Sequence, residues 1–338
     1  MKQLFVCHTQ YNLVLAIGLA SNQDDLILFE DFLLTDELKQ KLESYFQRTL
    51  FLKGNYPKQT LSGKQKLQKI SDDNKSIKAF LDKYEHIFIV DDMCIQEMYI
   101  MKLTYRKNPA VEMSWLEDGT NSYFINSFVS EGMGATPFRR FIRKHVFSFL
   151  YGLYGFYDLD EFMGVHFRLT SIYVTYPDCV RKELSGKIKY EITSAQMEKG
   201  MRFMYESEPL KMEPKSYLIA MDMLSTYGDS IDKVNKAVSH IVQTAQESGK
   251  KVYCKYHPRE TEELNALKNV EQLNSKVGIE SYLINTTSKD ITLVGFKSTA
   301  LQVAKKMNFN VISLIRSIDD PDGESIIRFY KSIGVKVY

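Results

Sequence analysis

The sequence predicts an α/β protein with two Rossmann-like domains, each built on a parallel sheet covered by helices, whose sheets face each other across a cleft. Short apolar runs alternate with amphipathic segments along the chain, which is typical of βαβ units joined by short connections. The alternation runs through the first half and begins again in the second. At 338 residues, the chain is also long enough for two domains.

The first half contains the first set of alternating elements. Five apolar runs are predicted as strands, at residues 4–8, 26–29, 49–52, 86–91 and 111–116. Helical spacing of apolar residues follows between them, at residues 36–46, 64–84 and 96–105. The stretch from Cys7 to Leu13 leaves the first strand and enters a helix. These elements make up the predicted N-terminal domain, residues 1–165, which we expect to lie on the acceptor side of the cleft.

The second half repeats the scheme and is predicted as a C-terminal domain over residues 166–338. A strand at residues 172–176 leads into it, and further strands are predicted at 217–221, 251–256, 270–273, 291–295 and 311–314. Helices are predicted at 231–246, 259–267 and 298–307. A last helix from Ile326 is placed in this domain, with packing back onto the first domain as the alternative.

Composition excludes several classes of protein. A net charge of +2 argues against a strongly basic nucleic-acid-binding protein. No apolar run reaches the ~18–20 residues that span a bilayer, and the N-terminal segment becomes polar too soon for a signal peptide. The four cysteines form no CxxC pair, and the histidines form no set with ligand spacing. We therefore expect free thiols, no metal site and a cytoplasmic location.

A basic amphipathic segment near residues 136–157 interrupts the alternation. Arg139, Arg140, Arg143 and Lys144 fall on one part of a helix, and apolar side chains fill much of the rest. Such a helix over residues 138–150 can lie on an anionic membrane surface, which would place the protein on the inner face of the cell membrane. The simpler interpretation is a helix that packs between the domains or in a homodimer, with its basic edge in solvent. Both interpretations stay open.

The first candidate site is Glu117-Asp118-Gly119, directly after the predicted strand at 111–116. The glycine permits a tight turn that would raise the acidic side chains into a cleft. A carboxylate there can accept the proton of a reacting hydroxyl. A plain strand-to-turn junction is the alternative, because Asp-Gly is common in turns.

The second candidate is His257-Pro258, which ends the strand at 251–256. A histidine at a strand end can protonate or hydrogen-bond a phosphate oxygen. Proline fixes the turn and is suited to starting the helix predicted at 259–267. The alternative is a surface histidine in a turn.

The third candidate is Ser298-Thr299, which follows the strand at 291–295 and opens the next helix. Hydroxyls and unpaired backbone N–H groups at a helix N-terminus bind phosphate well. Simple N-capping by Ser298 is compatible with that role, since the cap creates the anion site.

Asp222 is a further acid at the end of a predicted strand, residues 217–221. It would face the cleft from the second domain, which makes it the second candidate for a catalytic base. The alternative is a loop aspartate that caps the next helix.

Taken together and in this order, the motifs resemble those of the bacterial sialyltransferases, which carry an acidic-acidic-Gly motif, a His-Pro motif and a Ser/Thr pair. The N-terminal Cys7-His8-Thr9-Gln10-Tyr11-Asn12-Leu13 is similar to the start of the capsule and lipooligosaccharide sialyltransferases of glycosyltransferase family 52. The polysialyltransferases of family 38 share the three motifs and are the neighbouring possibility.

This resemblance implies a GT-B fold and inverting, metal-independent transfer of sialic acid from CMP-sialic acid. Asp118, or Glu117, would be the general base, and His257 would bind the donor phosphate and assist its departure. Ser298 and Thr299 would hold that phosphate beside Gly295, while Gly119 and Pro258 would shape the loops. The donor is a substrate, so no cofactor is expected. The acceptor would be a terminal galactose-type hydroxyl of an oligosaccharide or glycolipid of the bacterial surface, such as capsule or lipooligosaccharide.

Other functions stay open at this point. Within the same class, the protein would be a polysialyltransferase or use another sugar nucleotide. A non-catalytic protein that binds CMP or sialosides is a different class, and the complete set of acid, histidine and hydroxyls weighs against it. A membrane adaptor has only the basic helix in its favour.

Overall fold

The computed structural model describes residues 2–54, 62–124, 145–146, 148–154, 156, 162–206 and 212–338. The chain divides into two compact units, Met1–Ile192 and Thr193–Tyr338. Each unit is an α/β structure built on its own parallel sheet. The predicted fold class is confirmed on this point.

The first unit contains a seven-stranded parallel sheet within its described residues, in the order β3-β2-β1-β4-β5-β6-β7. The strands are β1 (Gln3–Cys7), β2 (Asp25–Phe29), β3 (Arg48–Leu52), β4 (His86–Ile89), β5 (Glu112–Leu116), β6 (Ser171–Val174) and β7 (Ile188–Glu191). The helices are α1 (Gln10–Leu19), α2 (Asp36–Tyr45), α3 (Gly63–Phe80) and α4 (Ile95–Lys107). Short 3₁₀ turns lie at Gly119–Ser122, Pro177–Cys179 and Lys182–Leu184.

Burial of the central strands explains why their sequences are apolar without alternation. Every residue of β2 and β4 is buried, since helices cover a parallel sheet on both faces. Trp115 of β5 is fully buried in the main apolar cluster of this unit. Its Nε1 donates to the Val90 carbonyl at 2.7 Å, which ties the carboxyl ends of β4 and β5 together.

The second unit contains a six-stranded parallel sheet within its described residues, in the order β10-β9-β8-β11-β12-β13. The strands are β8 (Tyr217–Ala220), β9 (Val252–Lys255), β10 (Glu271–Gln272), β11 (Thr292–Gly295), β12 (Asn310–Ser313) and β13 (Lys336–Val337). The helices are α5 (Ser194–Tyr205), α6 (Ile231–Glu247), α7 (Ile279–Asn285), α8 (Thr299–Lys306) and α9 (Gly323–Ser332). Short 3₁₀ segments lie at Leu224–Ser230, Asn265–Leu267 and Ile315–Ser317.

Each sheet has one topological switch point, where the chain returns from one edge to add strands on the other side of the first strand. The chain builds outward from β1 to β3 and then returns to lay β4 on the other side of β1. In the second sheet it builds from β8 to β10 and then returns to lay β11 beside β8. Ligands of open α/β sheets bind outside the carboxyl ends of the strands at such points. The candidate site residues can therefore be located relative to β1/β4 and β8/β11.

The boundary between the units falls after Ile192, not after residue 165 as the sequence predicts. The predicted strand at 172–176 is β6, which pairs with β5 of the first sheet, and β7 then extends that sheet further. The last helix, α9, belongs to the second unit, where the Tyr330 hydroxyl bonds the backbone of Ser298.

Two further differences concern helices. The helix predicted at 259–267 does not form, and this stretch is a loop that ends in the 3₁₀ turn Asn265–Leu267. Conversely, α5 and α7 are present where the sequence reading places no helix.

The basic segment predicted near 136–157 lies largely outside the described residues, and its arginines lie wholly outside them. A helical turn at Ser148–Leu150 is described. Among the described residues, no helix combines the length and the apolar character needed to cross a membrane.

Candidate active site

Glu117 is fully buried, and both of its carboxylate oxygens accept hydrogen bonds. The Tyr11 hydroxyl donates to Oε1 at 2.6 Å, and the Tyr123 hydroxyl donates to Oε2 at 2.7 Å. Thr175 adds bonds from its backbone N–H and its hydroxyl. Burial raises the pKa of Glu117, while these hydrogen bonds oppose the increase. The carboxylate thus joins the ends of β5 and β6 to α1.

Asp118 is half-buried at the carboxyl end of β5. Its Oδ2 accepts a bond from the Asn121 amide at 3.1 Å, and its Oδ1 lies 3.5 Å from the amide nitrogen of Asn12. Gly119 follows with a φ of +53°, a conformation that L side chains rarely adopt. The turn that follows the two acids therefore depends on this glycine.

A histidine between two carboxylates occupies the switch point of the first sheet. His8 Nδ1 lies 2.8 Å from Asp31 Oδ2, and Nε2 lies 2.7 Å from Glu97 Oε1. Burial lowers the pKa of His8, but the bonds to Asp31 and Glu97 outweigh it and raise the pKa to about 10. The ring also stacks on Phe29, with centroids 4.4 Å apart.

This arrangement is not predicted from the sequence. His8 directly follows β1 and Asp31 lies two residues after β2, whereas Glu97 belongs to α4. Polar residues just after apolar strands are a signal that could have found the first two. The pairing itself depends on the order of strands in the sheet.

His257 is half-buried after β9, and Pro258 is exposed in the turn that follows. The backbone N–H of Arg259 donates to His257 Nδ1 at 3.2 Å, so this nitrogen is an acceptor and Nε2 carries the proton. Burial lowers the pKa of His257, with the charges of Arg259 and Lys255 acting in the same direction. The imidazole is therefore neutral at pH 7 and retains an Nε2–H donor.

Glu260 connects the His257 turn to the loop after β8. Its N–H donates to the His257 carbonyl at 2.9 Å, and its carboxylate accepts the N–H of Leu224 at 2.5 Å. The same carboxylate accepts the N–H groups of Thr261 and Glu262. Glu260 also lines a cavity of about 510 Å³ between this loop and the start of α6. No motif in the sequence marks Glu260.

Ser298 is the N-cap of α8, and its hydroxyl accepts the Ala300 N–H at 3.2 Å. Tyr330, which is fully buried, bonds both the N–H and the carbonyl of Ser298. Thr299 begins the helix and is half-buried. Gly295 is buried at the end of β11, where a Cβ would lie 3.2 Å from Leu301 Cδ2. Glycine thus allows close packing of α8 on the strand.

Asp222 lies at the carboxyl end of β8, next to β11. Burial raises its pKa to about 6, while a hydrogen bond with Tyr227 and the charge of Lys297 oppose the increase. Lys297 itself pairs with Asp320 at 3.1 Å and Asp322 at 3.5 Å.

The second sheet brings four predicted residues to neighbouring strand ends: His257 after β9, Asp222 after β8, and Ser298 and Thr299 after β11. In the first sheet, Glu117 and Asp118 follow β5, beside the end of β4. These are the positions where ligands bind in open α/β sheets. Two Rossmann-like units with polar side chains at these ends define a protein of the GT-B class.

Solved structures support this class. The chain is similar to an α/β-galactoside α-2,3-sialyltransferase from Photobacterium phosphoreum, with a TM-score of 0.54, 14% identity and coverage of 99% of this chain and 98% of that chain. It is also similar to the UDP-GlcNAc 2-epimerase of Methanocaldococcus jannaschii, with a TM-score of 0.54, 11% identity and coverage of 98% and 92%. At these identities the likeness establishes the fold alone.

Residues 22–315 match the model of the α-2,8-polysialyltransferase family. The chain belongs to this family and is therefore a glycosyltransferase that transfers sialic acid. The family matched is the polysialyltransferases, which the sequence motifs allow as the alternative to family 52. Membership of family 52 is not confirmed. No curated protein sequence matches the chain.

Proposed function

We propose that this protein is an inverting, metal-independent sialyltransferase that uses CMP-sialic acid and extends a glycan of the bacterial surface. The observation that carries the proposal is the set of polar groups at the carboxyl ends of β5, β9 and β11, in a chain of the polysialyltransferase family. Each group has a chemical type that suits one part of a single displacement at the anomeric carbon.

In the first unit, Asp118 is the proposed general base. Its carboxylate is partly exposed and would take the proton of the acceptor hydroxyl as that oxygen attacks the anomeric carbon. Glu117 is a poorer candidate, because four hydrogen bonds from Tyr11, Tyr123 and Thr175 occupy its buried carboxylate. We propose that Glu117 instead holds the backbone that carries Asp118.

In the second unit, His257 is proposed to assist the departure of CMP. As the glycosidic C–O bond breaks, negative charge develops on the phosphate, and the Nε2–H of a neutral imidazole can donate to it. A bound phosphate would also favour the protonated ring and raise its pKa again. Ser298 and Thr299, at the N-terminus of α8, are proposed to bind the same phosphate.

The acceptor has two candidates. The family description favours the terminal sialic acid of an α-2,8-linked chain. A galactose-type hydroxyl is the second candidate, because Asp91 lies close enough to Asp118 for their charges to interact. Burial raises the pKa of Asp91, with the charge of Asp118 contributing. The charge of His8 opposes this increase, and the remaining negative charge near Asp118 would favour a neutral sugar over an anionic acceptor end.

Peripheral contact with an anionic membrane is proposed for residues 138–150. Three large apolar side chains are exposed just after the basic stretch, with exposed fractions of 46% for Val146, 72% for Phe149 and 61% for Tyr154. Exposed apolar side chains that follow a basic stretch in the sequence suit an interface of lipid headgroups and acyl chains. The same surface would serve a homodimer as the alternative.

Release of CMP from CMP-sialic acid tests the activity, with EDTA present and with either α-2,8-oligosialic acid or lactose as acceptor. Asp118→Asn should lower kcat by about 100-fold or more, since general-base catalysis contributes about 10²–10⁴-fold. Asp222→Asn is the matched control and should change kcat only a few-fold. The opposite ranking would make Asp222 the base, and release that EDTA abolishes would contradict metal independence.

A further inference from the structure

Lys297 lies at the switch point of the second sheet. It stands between the end of β11 and Ser298, the N-cap of α8. The Nζ atom is 3.1 Å from Asp320 Oδ2 and 3.5 Å from Asp322 Oδ2, in the loop after β12. Its charge also acts on Asp222, which follows β8. This ammonium group is therefore central to the carboxyl edge formed by β8, β11 and β12.

Asp320 is fixed by backbone hydrogen bonds, whereas the side chain of Lys297 is flexible. Asp320 is held by its own turn, in which Oδ1 accepts the Asp322 N–H at 2.8 Å and the carbonyl accepts the Gly323 N–H at 3.0 Å. The lysine has a flexible four-carbon stem. Its side chain is also 23% exposed, so part of it is open to solvent.

We propose that Lys297 binds the negatively charged phosphate of the CMP donor and exchanges Asp320 and Asp322 for it. This inference rests on the proposed function, since it takes a sugar nucleotide as the ligand. Asp222, Asp320 and Asp322 all interact with Lys297, so a phosphate is accepted among these carboxylates only if the ammonium group contacts it directly. The ion pair thus holds the ammonium group at this edge of the sheet when the donor is absent, and it competes with the donor for the same cation.

Because Asp320 and the donor phosphate compete for Lys297, removing the lysine and removing the aspartate should change the Kd for CMP in opposite directions. Lys297→Met should raise the Kd for CMP by about 10-fold or more, because a charge-assisted hydrogen bond to a phosphate is lost. Asp320→Asn should lower that Kd about two- to five-fold, because it removes a competing carboxylate. An ion pair that only stabilises the loop would weaken CMP binding in both variants.

The experiment is calorimetric titration of the full chain with CMP at constant ionic strength. Lys233 and Asp319 form a matched ion pair of 2.9 Å, with both side chains more than half exposed. Lys233→Met and Asp319→Asn are therefore the controls and should leave the Kd within two-fold of the wild type. Lys297→Arg keeps the charge and should retain most of the affinity.

The outcomes separate the two hypotheses. An unchanged Kd for Lys297→Met, or weaker binding by Asp320→Asn, overturns the inference while the proposed donor stands. A wild-type protein that does not bind CMP overturns the donor assignment, and the inference falls with it. Opposite shifts in the two variants, with unchanged controls, establish the exchange.

Discussion

Glu117 and Asp118 show how adjacent residues of one type acquire different environments. Successive side chains at a strand end point to opposite sides. Glu117 is thereby buried among hydroxyl groups, and Asp118 remains half-exposed. The sequence indicates an acidic pair but gives no basis for choosing between the two. Hydrogen bonds from Tyr11 of α1 and Thr175 of the loop after β6 occupy the Glu117 carboxylate, and they leave Asp118 as the better candidate for the base.

His257 is a second case in which the surroundings set the chemistry. The His-Pro motif indicates a proton donor, and the structure indicates which ring nitrogen carries the proton. Because the Arg259 N–H donates to Nδ1, the available donor is Nε2–H of a neutral imidazole. In the absence of a ligand, His257 is therefore a neutral hydrogen-bond donor and not a permanent cation.

His8 provides a prediction of pH dependence. Its pKa in the folded protein is raised to about 10 from an ordinary value of 6.5. A raised pKa stabilises the folded state fully below pH 6.5, and this contribution is lost as the pH rises towards 10. His8→Gln should lower the free energy of unfolding by about 3 kcal/mol near pH 6, and the difference from wild type should shrink with increasing pH.

Urea denaturation at a series of pH values measures this difference. His240 is exposed, and His240→Gln is the matched control, with no change expected. A difference between wild type and His8→Gln that grows from neutral to alkaline pH would contradict a charged His8.

At the scale of elements, the strands follow the sequence more closely than the connections do. The apolar runs that become β1, β2, β4 and β11 are buried almost throughout, so their side chains alone specify them. The loop at 259–264 is different, because the Glu260 carboxylate accepts the nearby N–H groups of Thr261 and Glu262 and the distant N–H of Leu224, which holds this stretch in a turn. Helical apolar spacing is therefore a poor guide there.

Glu260 is predicted to position the His257 turn against the loop after β8. Glu260→Gln replaces one accepting oxygen by a donor and so loses at least one backbone bond. It should lower kcat about 10-fold and alter the imidazole ¹⁵N shifts of His257. Glu262, an exposed residue of the same cavity wall, gives the control Glu262→Gln, which should change neither quantity.

If Glu260→Gln has a lower kcat but leaves the imidazole ¹⁵N shifts of His257 unchanged, Glu260 acts only on stability. Thermal unfolding of both variants measures that part separately.

At the scale of the whole molecule, the two units have separate apolar clusters and separate sheets. Each sheet has its own switch point, so each unit can hold its own ligand. The boundary after Ile192 follows from pairing of β5 with β6 and of β6 with β7, which the sequence alone does not specify.

CMP is predicted to protect the second unit selectively from hydrogen exchange. A ligand at 100 times its Kd stabilises the state that binds it by about 2.7 kcal/mol. Protection should concentrate in the loops that follow β8, β9 and β11, and the turn at 117–119 should be unaffected by CMP alone. Mass spectrometry of peptides with and without CMP measures this. Protection confined to the first unit would reverse the assignment of the donor domain.

The sequence by itself determined the α/β class, eleven of the strand positions, and the three motifs that mark the strand ends. It could do so because burial on both faces requires continuous apolar runs, and because glycine, proline and N-cap residues act locally. Only the tertiary structure decided the unit boundary, the burial of Glu117 and the pairings of His8, Glu260 and Lys297. Those features depend on strand order and on contacts between residues far apart in the chain, which no local pattern encodes.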